Sequence, residues 1–210
     1  MRKKIHIKTL VLGMVNTNCY IIRYQKSREA IVIDPGDQVH IIENYLKEND
    51  LDCKAILLTH GHFDHITAAN ELKSITGAQI YAHENESGLL ADPEMNASAY
   101  MGNEITLKPD ILLKDKEDIV LGGLTWQVLY TPGHTEGGAC YYLPEMEIIF
   151  TGDTLFYESI GRTDFSTGDH QTLIESIHNQ LMALDDGVEV YPGHGRPTTI
   201  GHERDKNPYL

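Results

Sequence analysis

The chain has 210 residues, 31 acidic against 17 basic, and a formal net charge of −14 at pH 7. That length suits one domain with a layered core, and the acidic excess argues against a nucleic-acid phosphate surface, which needs a basic patch. Three cysteines, Cys19, Cys53 and Cys140, are odd in number and lack a CxxC pair; with no apolar run near membrane-spanning length, a reducing cytoplasm and no membrane partner are expected.

The first residues, 1–8, are charged and alternate like a strand, so no signal peptide is expected. Strands are predicted at 5–12, 19–24 and 29–33, with a turn at 13–18, and the short connections make them antiparallel neighbours. Cys19 reads as a small buried hydrophobe. Asp34-Pro35-Gly36 ends the third strand as a turn, and the Asp34 carboxylate is also a candidate brace for a nearby ligand imidazole. Residues 39–47 carry apolar positions at helical spacing. A continuous apolar strand at 54–59 is expected at the centre of a sheet.

That strand runs into Thr59-His60-Gly61-His62-Phe63-Asp64-His65, where three imidazoles and a carboxylate fall within six residues. Both side-chain types ligate zinc and iron. Positions two apart in extended chain share a face, so His60 and His62 can close on one ion while Asp64 and His65 serve another. A helix is predicted over 65–76, with Ile66, Ala69, Leu72 and Ile75 inward and Gly77 as its stop.

A short strand at 78–82 leads to His83, read as structural or as pocket wall. Residues 84–118 lose periodicity through Pro93, Asn96, Gly102 and Pro109. They read as a lid or insertion with one or two short helices, Tyr100 and Met101 facing the pocket. Gly122-Gly123 is a hairpin turn before a strand at 124–130 that places Trp126 in the core. His134 follows that strand. A hairpin of 139–143 and 147–150 ends at Asp153. A helix is predicted over 170–184 with His178 on its solvent face, then a strand over 188–191, His194, and a short polar tail over 198–210. Four strand ends each delivering a metal-competent side chain are hard to explain structurally.

THGHFDH at 59–65, TPGHT at 131–135, TGDT at 151–154 and PGHG at 192–195 together resemble the metallo-β-lactamase superfamily over nearly the whole chain. The resemblance implies an α/β αββα sandwich, two mixed sheets face to face with helices outside. It implies two divalent metal ions per chain, zinc first, with iron and manganese as alternatives. His60, His62 and His134 would hold the first; Asp64, His65 and His194 the second; Asp153 would bridge them. Asp153 stands where β-lactamases commonly place a cysteine, which argues against antibiotic hydrolysis. His62 stands where flavo-diiron members carry a glutamate. The Gly161-Arg162-Thr163-Asp164-Phe165 loop is similar to that of the glyoxalase II-like branch. There Asp164 would hydrogen-bond a ligand histidine and Arg162 would support the pocket. The chain resembles a short form without the C-terminal glutathione-binding helical domain, which leaves the thiol carrier open.

The implied activity is hydrolysis of a small-molecule thioester, such as an S-2-hydroxyacyl thiol, by a metal-bridging hydroxide, with Asp64 and Asp153 as the catalytic carboxylates. The alternatives are a mononuclear-iron persulfide dioxygenase using His60, His134 and Asp153, a lactonase or phosphodiesterase on the same metal pair, and a non-catalytic metal-binding module.

Overall fold

Strand alternation decides the architecture, because each strand sends its two faces to different cores. In a computed structural model the described residues are 4–25 and 27–210. Part of the expectation about the N-terminus rests on Met1, Arg2 and Lys3, which lie outside them.

The first sheet contains β1 (Ile5–Leu12), β2 (Thr17–Tyr24), β3 (Glu29–Ile33), β4 (Asp52–Leu57), β5 (Gln79–His83) and β6 (Ile111–Leu113), paired in that order. The first three are antiparallel neighbours, as expected, and the rest pair in parallel. Parallel neighbours need crossovers. Helix α1 (Val39–Glu48) joins β3 to β4; α2 (Phe63–Ile66) and α3 (Ala69–Thr76) join β4 to β5; α4 (Ser87–Ala91) lies on the way to β6.

The second sheet adds β7 (Asp118–Leu121), β8 (Leu124–Tyr130), β9 (Ala139–Leu143) and β10 (Ile148–Gly152). A two-stranded hairpin, β11 (Leu155–Phe156) with β12 (Ser159–Ile160), precedes α5 (His170–Ser176). After β13 (Glu189–Pro192) and β14 (Thr198–Thr199), α6 (Ile200–Lys206) closes the described elements. The sheet order is β14-β13-β10-β9-β8-β7.

Between the sheets, Ile22, Ile31, Ile33 and Leu57 meet Trp126, Val128, Tyr141 and Phe150. On the far side of the first sheet, Ile21, Val32 and Ile56 pack on Ile42 and Leu46 of α1 and Leu72 of α3. On the far side of the second, Cys140, Ile149 and Val190 pack on Leu173 of α5, on Ile177 and Leu181 beyond it, and on Ile200. The order of layers is helix, sheet, sheet, helix.

Three stretches differ from the sequence reading. The helix expected over 65–76 is broken: the Ala68 N–H leaves the helical ladder to donate to the Pro35 carbonyl, at 3.0 Å. Within α3, Ala69 and Leu72 are buried as expected, but Ile75 is 43% exposed instead of inward. Residues 84–118 are anchored, with Leu89, Leu90 and Leu107 buried and β6 added to the sheet edge. The tail expected to be merely polar forms β14 and α6, whose first turn is capped by the Thr199 hydroxyl accepting from the His202 N–H.

Candidate metal centre

β8 and β10 both run antiparallel to β9, and β13 runs parallel to β10. The three therefore deliver His134, Asp153 and His194 past the same edge of the second sheet. β4 delivers the 60–65 segment from the first sheet, and a bridge between Thr17 and His194 ties the sheets together there. Glycine at 193 is imposed by crowding, since a Cβ would strike the Asp153 carboxylate and the His65 ring.

All seven side chains singled out as ligand candidates converge. The ligand atoms of His60, His62 and His134 lie within 4.8 Å of one another, as do those of Asp64, His65 and His194, and those of His60, His65 and Asp153. Asp153 stands between the halves. Its Oδ1 is 3.4 Å from His65 Nε2, and its Oδ2 is 3.7 Å from His134 Nε2 and 3.5 Å from His194 Nε2. Asp64 Oδ2 is 3.4 Å from His65 Nε2 and 3.2 Å from His194 Nε2.

A cation fits this cluster. Nε2 of His60 and His65 and Oδ1 of Asp153 are buried without a hydrogen-bond partner, while His62 presents its Nδ1 to the cluster, 2.9 Å from His134 Nε2. Orphaned buried polar atoms cost ~1–3 kcal/mol each, and a shared ion removes that cost. Imidazole with carboxylate oxygen is a donor set that zinc, iron and manganese accept.

Behind these atoms lies a layer that fixes the rings. Asp34 Oδ2 is 3.0 Å from His65 Nδ1, the contact by which a carboxylate orients an imidazole. The same carboxylate accepts from the Thr59 N–H at 2.8 Å and the Thr59 hydroxyl at 2.6 Å. Thr17 Oγ1 donates to Asp64 Oδ2 at 2.7 Å.

The role expected of Asp164 falls elsewhere. His134 Nδ1 lies 2.7 Å from the Arg162 backbone carbonyl. Asp164 instead accepts from Arg162 Nε at 2.7 Å and from its terminal nitrogen at 2.6 Å. His134 Nδ1 has one hydrogen to give, and the Arg162 carbonyl is the acceptor beside it, so the carboxylate is not the imidazole's partner. The Arg162 side chain lies over the Phe165 ring, 4.4 Å from its centre, and Phe165 packs on His62.

Glu86 was not singled out by the sequence. It is buried, its Oε1 accepts from the Gly61 N–H at 2.7 Å, and its Oε2 accepts from the Thr135 hydroxyl at 3.1 Å. It therefore pins the turn between His60 and His62 to the residue beside His134. A Cβ on Gly137 would strike the backbone at Asn85 and Glu86, so this approach needs glycine. One acid inside an irregular segment gives no sequence signal. His83 is structural: it stacks on Tyr130, and its Nδ1 accepts from the Asn85 N–H.

Burial, then the neighbouring imidazoles, push His60 well below its usual range and His62 down to about 3. Burial also lowers His134, against the pull of Asp153. His65 behaves oppositely: burial would lower it, but Asp64, Asp153 and Asp34 together raise it well above its ordinary value. Burial likewise opposes His194, which its contact with Asp64 and the charge of Asp153 raise. For Asp64 and Asp153 burial acts upward, yet the facing imidazoles hold both below the usual carboxylate range.

A family model described as the metallo-beta-lactamase superfamily matches residues 12–194. The chain is 36% identical over 208 residues to hydroxyacylglutathione hydrolase GloC of Haemophilus influenzae, with 98% of each chain covered. Among solved structures it is similar to the BLEG-1 B3 metallo-beta-lactamase, 41% identical with a TM-score of 0.92 over 98% of this chain and 99% of that one. It is also similar to TTHA1623 in a di-iron-bound form, 32% identical with a TM-score of 0.86 over 97% and 100% of the two chains.

Proposed function

The chain belongs to the metallo-β-lactamase superfamily, and on that premise we propose that it is a metal-dependent hydrolase of small-molecule thioesters. The observation that carries this reading is Asp153, whose two oxygens face the two halves of the cluster. The similarity to a hydroxyacylglutathione hydrolase along the full chain supports the thioester class.

His60, His62 and His134 would hold one cation, Asp64, His65 and His194 the other, with Asp153 between. When bound, such a pair supplies Lewis-acid polarisation of a carbonyl oxygen and draws a nucleophile from water at neutral pH. The protein's own groups do the rest. Asp64, held by Thr17 and kept ionised by His65 and His194, accepts a hydrogen bond from the attacking water and orients it. Phe165 and Phe63 line the cavity and keep bulk water from the reacting carbonyl. The C–S bond breaks, water supplies the new carboxylate oxygen, and of water's two protons one ends on the leaving sulfur to give the thiol and the other passes to solvent. A cytoplasmic setting is part of the same proposal. No helix among the described residues is long and apolar enough to cross a membrane.

The similarity to a B3 metallo-beta-lactamase favours a second reading, β-lactam opening, which uses the same attack on a carbonyl. One experiment separates them. Protein purified without chelator or added metal is analysed for metal per chain, then offered a neutral thioester and a β-lactam side by side. About two metals per chain with faster thiol release is the expected result. Turnover of the β-lactam alone would transfer the assignment. A single iron per chain with oxygen uptake on a thiol persulfide would replace hydrolysis by dioxygenation.

A further inference from the structure

The cavity over the metal centre, about 210 Å³, adjoins a second of about 220 Å³. Val15, Phe63 and Asp64 line both, so they form one groove in two parts. The second part holds none of the clustered histidines. Its lip carries Met14 and Met101, which are 78% and 42% exposed. Large apolar side chains left in water beside a reaction centre point to a ligand that covers them.

The far wall is fixed before any ligand arrives. Phe63 N–H donates to the Asn96 carbonyl at 2.8 Å, Ser98 N–H to Asn96 Oδ1 at 2.9 Å, and Ile105 N–H to Ser98 Oγ at 2.8 Å. Asn96 and Ser98 are buried, and the loop they knit presents Ala97 to the metal side and Met101 to the other. The charge of the second cavity is one-sided. Asp37 is the carboxylate lining it that the metal cluster does not use, and among the described residues no lysine or arginine lines it. Among the described residues the arginine lining the metal side is Arg162, and its guanidinium is already taken by Asp164.

We propose that the second cavity is a specificity subsite for an uncharged, apolar arm of the thioester, and that it disfavours a carboxylate-bearing carrier such as glutathione. The inference rests on the hydrolase reading for its substrate class. The arm is either the acyl tail or the thiol side, and both present the same chemistry to the walls.

The test uses the metal-loaded enzyme and two neutral series: N-acetylcysteamine thioesters of lengthening acyl chain, and acetyl thioesters of lengthening alkanethiol. S-acetylglutathione is the carboxylate-bearing comparator. One series should climb in kcat/KM through KM, by up to about four-fold per methylene removed from water, and shows which end occupies the groove. The glutathione ester should trail the neutral ester of the same acyl group. Met101→Glu, on the exposed lip, should cut the long-to-short ratio at least about five-fold by placing a charge against the arm, and Met101→Leu should restore it. Flat responses in both series, or the glutathione ester leading, would overturn the subsite. Should no thioester turn over, the hydrolase reading fails, and the subsite is judged by calorimetric titration with uncleavable S-alkyl-N-acetylcysteamine thioethers. Affinity rising with alkyl length and lost in Met101→Glu upholds it, and affinity indifferent to length overturns it.

Discussion

The two halves of the metal centre are built by different physics. One half is three imidazoles, and burial keeps them neutral, with nitrogens ready to ligate and no proton to displace. The other sets His65 and His194 against Asp64 and Asp153, and these carboxylates raise the proton affinity of both imidazoles. A cation entering there competes with protons for those nitrogens, so its affinity is tied more closely to pH. Each half also leans on a buried carboxylate. Asp34 touches the His65 ring itself, whereas Glu86 touches only a backbone N–H and a hydroxyl beside the imidazole half. The first half is thus made by exclusion of water and the second by paired charge.

The change that breaks both halves at once is Asp153→Ala. It removes the side chain that faces each group and leaves His65 and His134 without their shared counter-charge. Elemental analysis should find fewer than two metals per chain, and hydrolysis should fall by at least about a thousand-fold, the scale of losing a group that acts only in the reaction. Retained metal with retained turnover would sink the shared role.

Asp34→Asn should divide the halves. An asparagine keeps an acceptor at one of the two oxygen positions, but its NH₂ at the other cannot accept, so the contact to the Thr59 N–H or those to the Thr59 hydroxyl and His65 are lost, and the amide cannot offset charge on His65. Competition with a chelator should show metal binding in the carboxylate half weakened by roughly 10–100-fold, and the imidazole half, which Asp34 reaches only through the Thr59 hydroxyl 3.2 Å from His60 Nδ1, weakened less. Equal weakening of both would remove the distinction drawn here.

Glu86→Gln probes the brace of the imidazole half through pH. Burial raises Glu86 from its ordinary 4.5 to about 7, against the hydrogen bonds from Gly61 and Thr135. The folded protein therefore binds this proton more tightly than the unfolded chain. The stability it contributes is complete below about pH 4.5 and is lost as pH rises through about 7. Gln cannot ionise, so between pH 5 and 8 the variant should gain on the wild type by on the order of 3 kcal/mol. Urea unfolding of both proteins in chelator across that range measures it, and parallel curves would contradict it.

Much of this was readable in the chain because the relevant signals are periodic or local. Alternation placed β1, β3 and β8, and all seven clustered side chains lie within a few residues of a strand end. The parts that were hidden depend on partners distant in sequence. Ala68 breaks the helix by reaching Pro35, Glu86 matters through Gly61 and Thr135, and α6 folds because Ile200 joins a core built by α5. None of those partners leaves a mark in the local pattern.

The smallest expected effect bears on the imidazole half alone. The family resemblance would give Asp164 a hydrogen bond to a ligand histidine, and losing such a contact costs roughly 10–100-fold. The structure gives that contact to the Arg162 carbonyl, a backbone atom that no side-chain substitution removes. Asp164 and Arg162 are 66% and 64% exposed, and an ion pair in that setting contributes little, ~0–1 kcal/mol. Asp164→Asn should therefore change metal affinity and kcat/KM by less than about five-fold. The same assay run on Asp34→Asn supplies the scale. If the two variants lost affinity equally, Asp164 would be bracing the imidazole half as Asp34 braces the other, and the carbonyl contact would not be what holds His134.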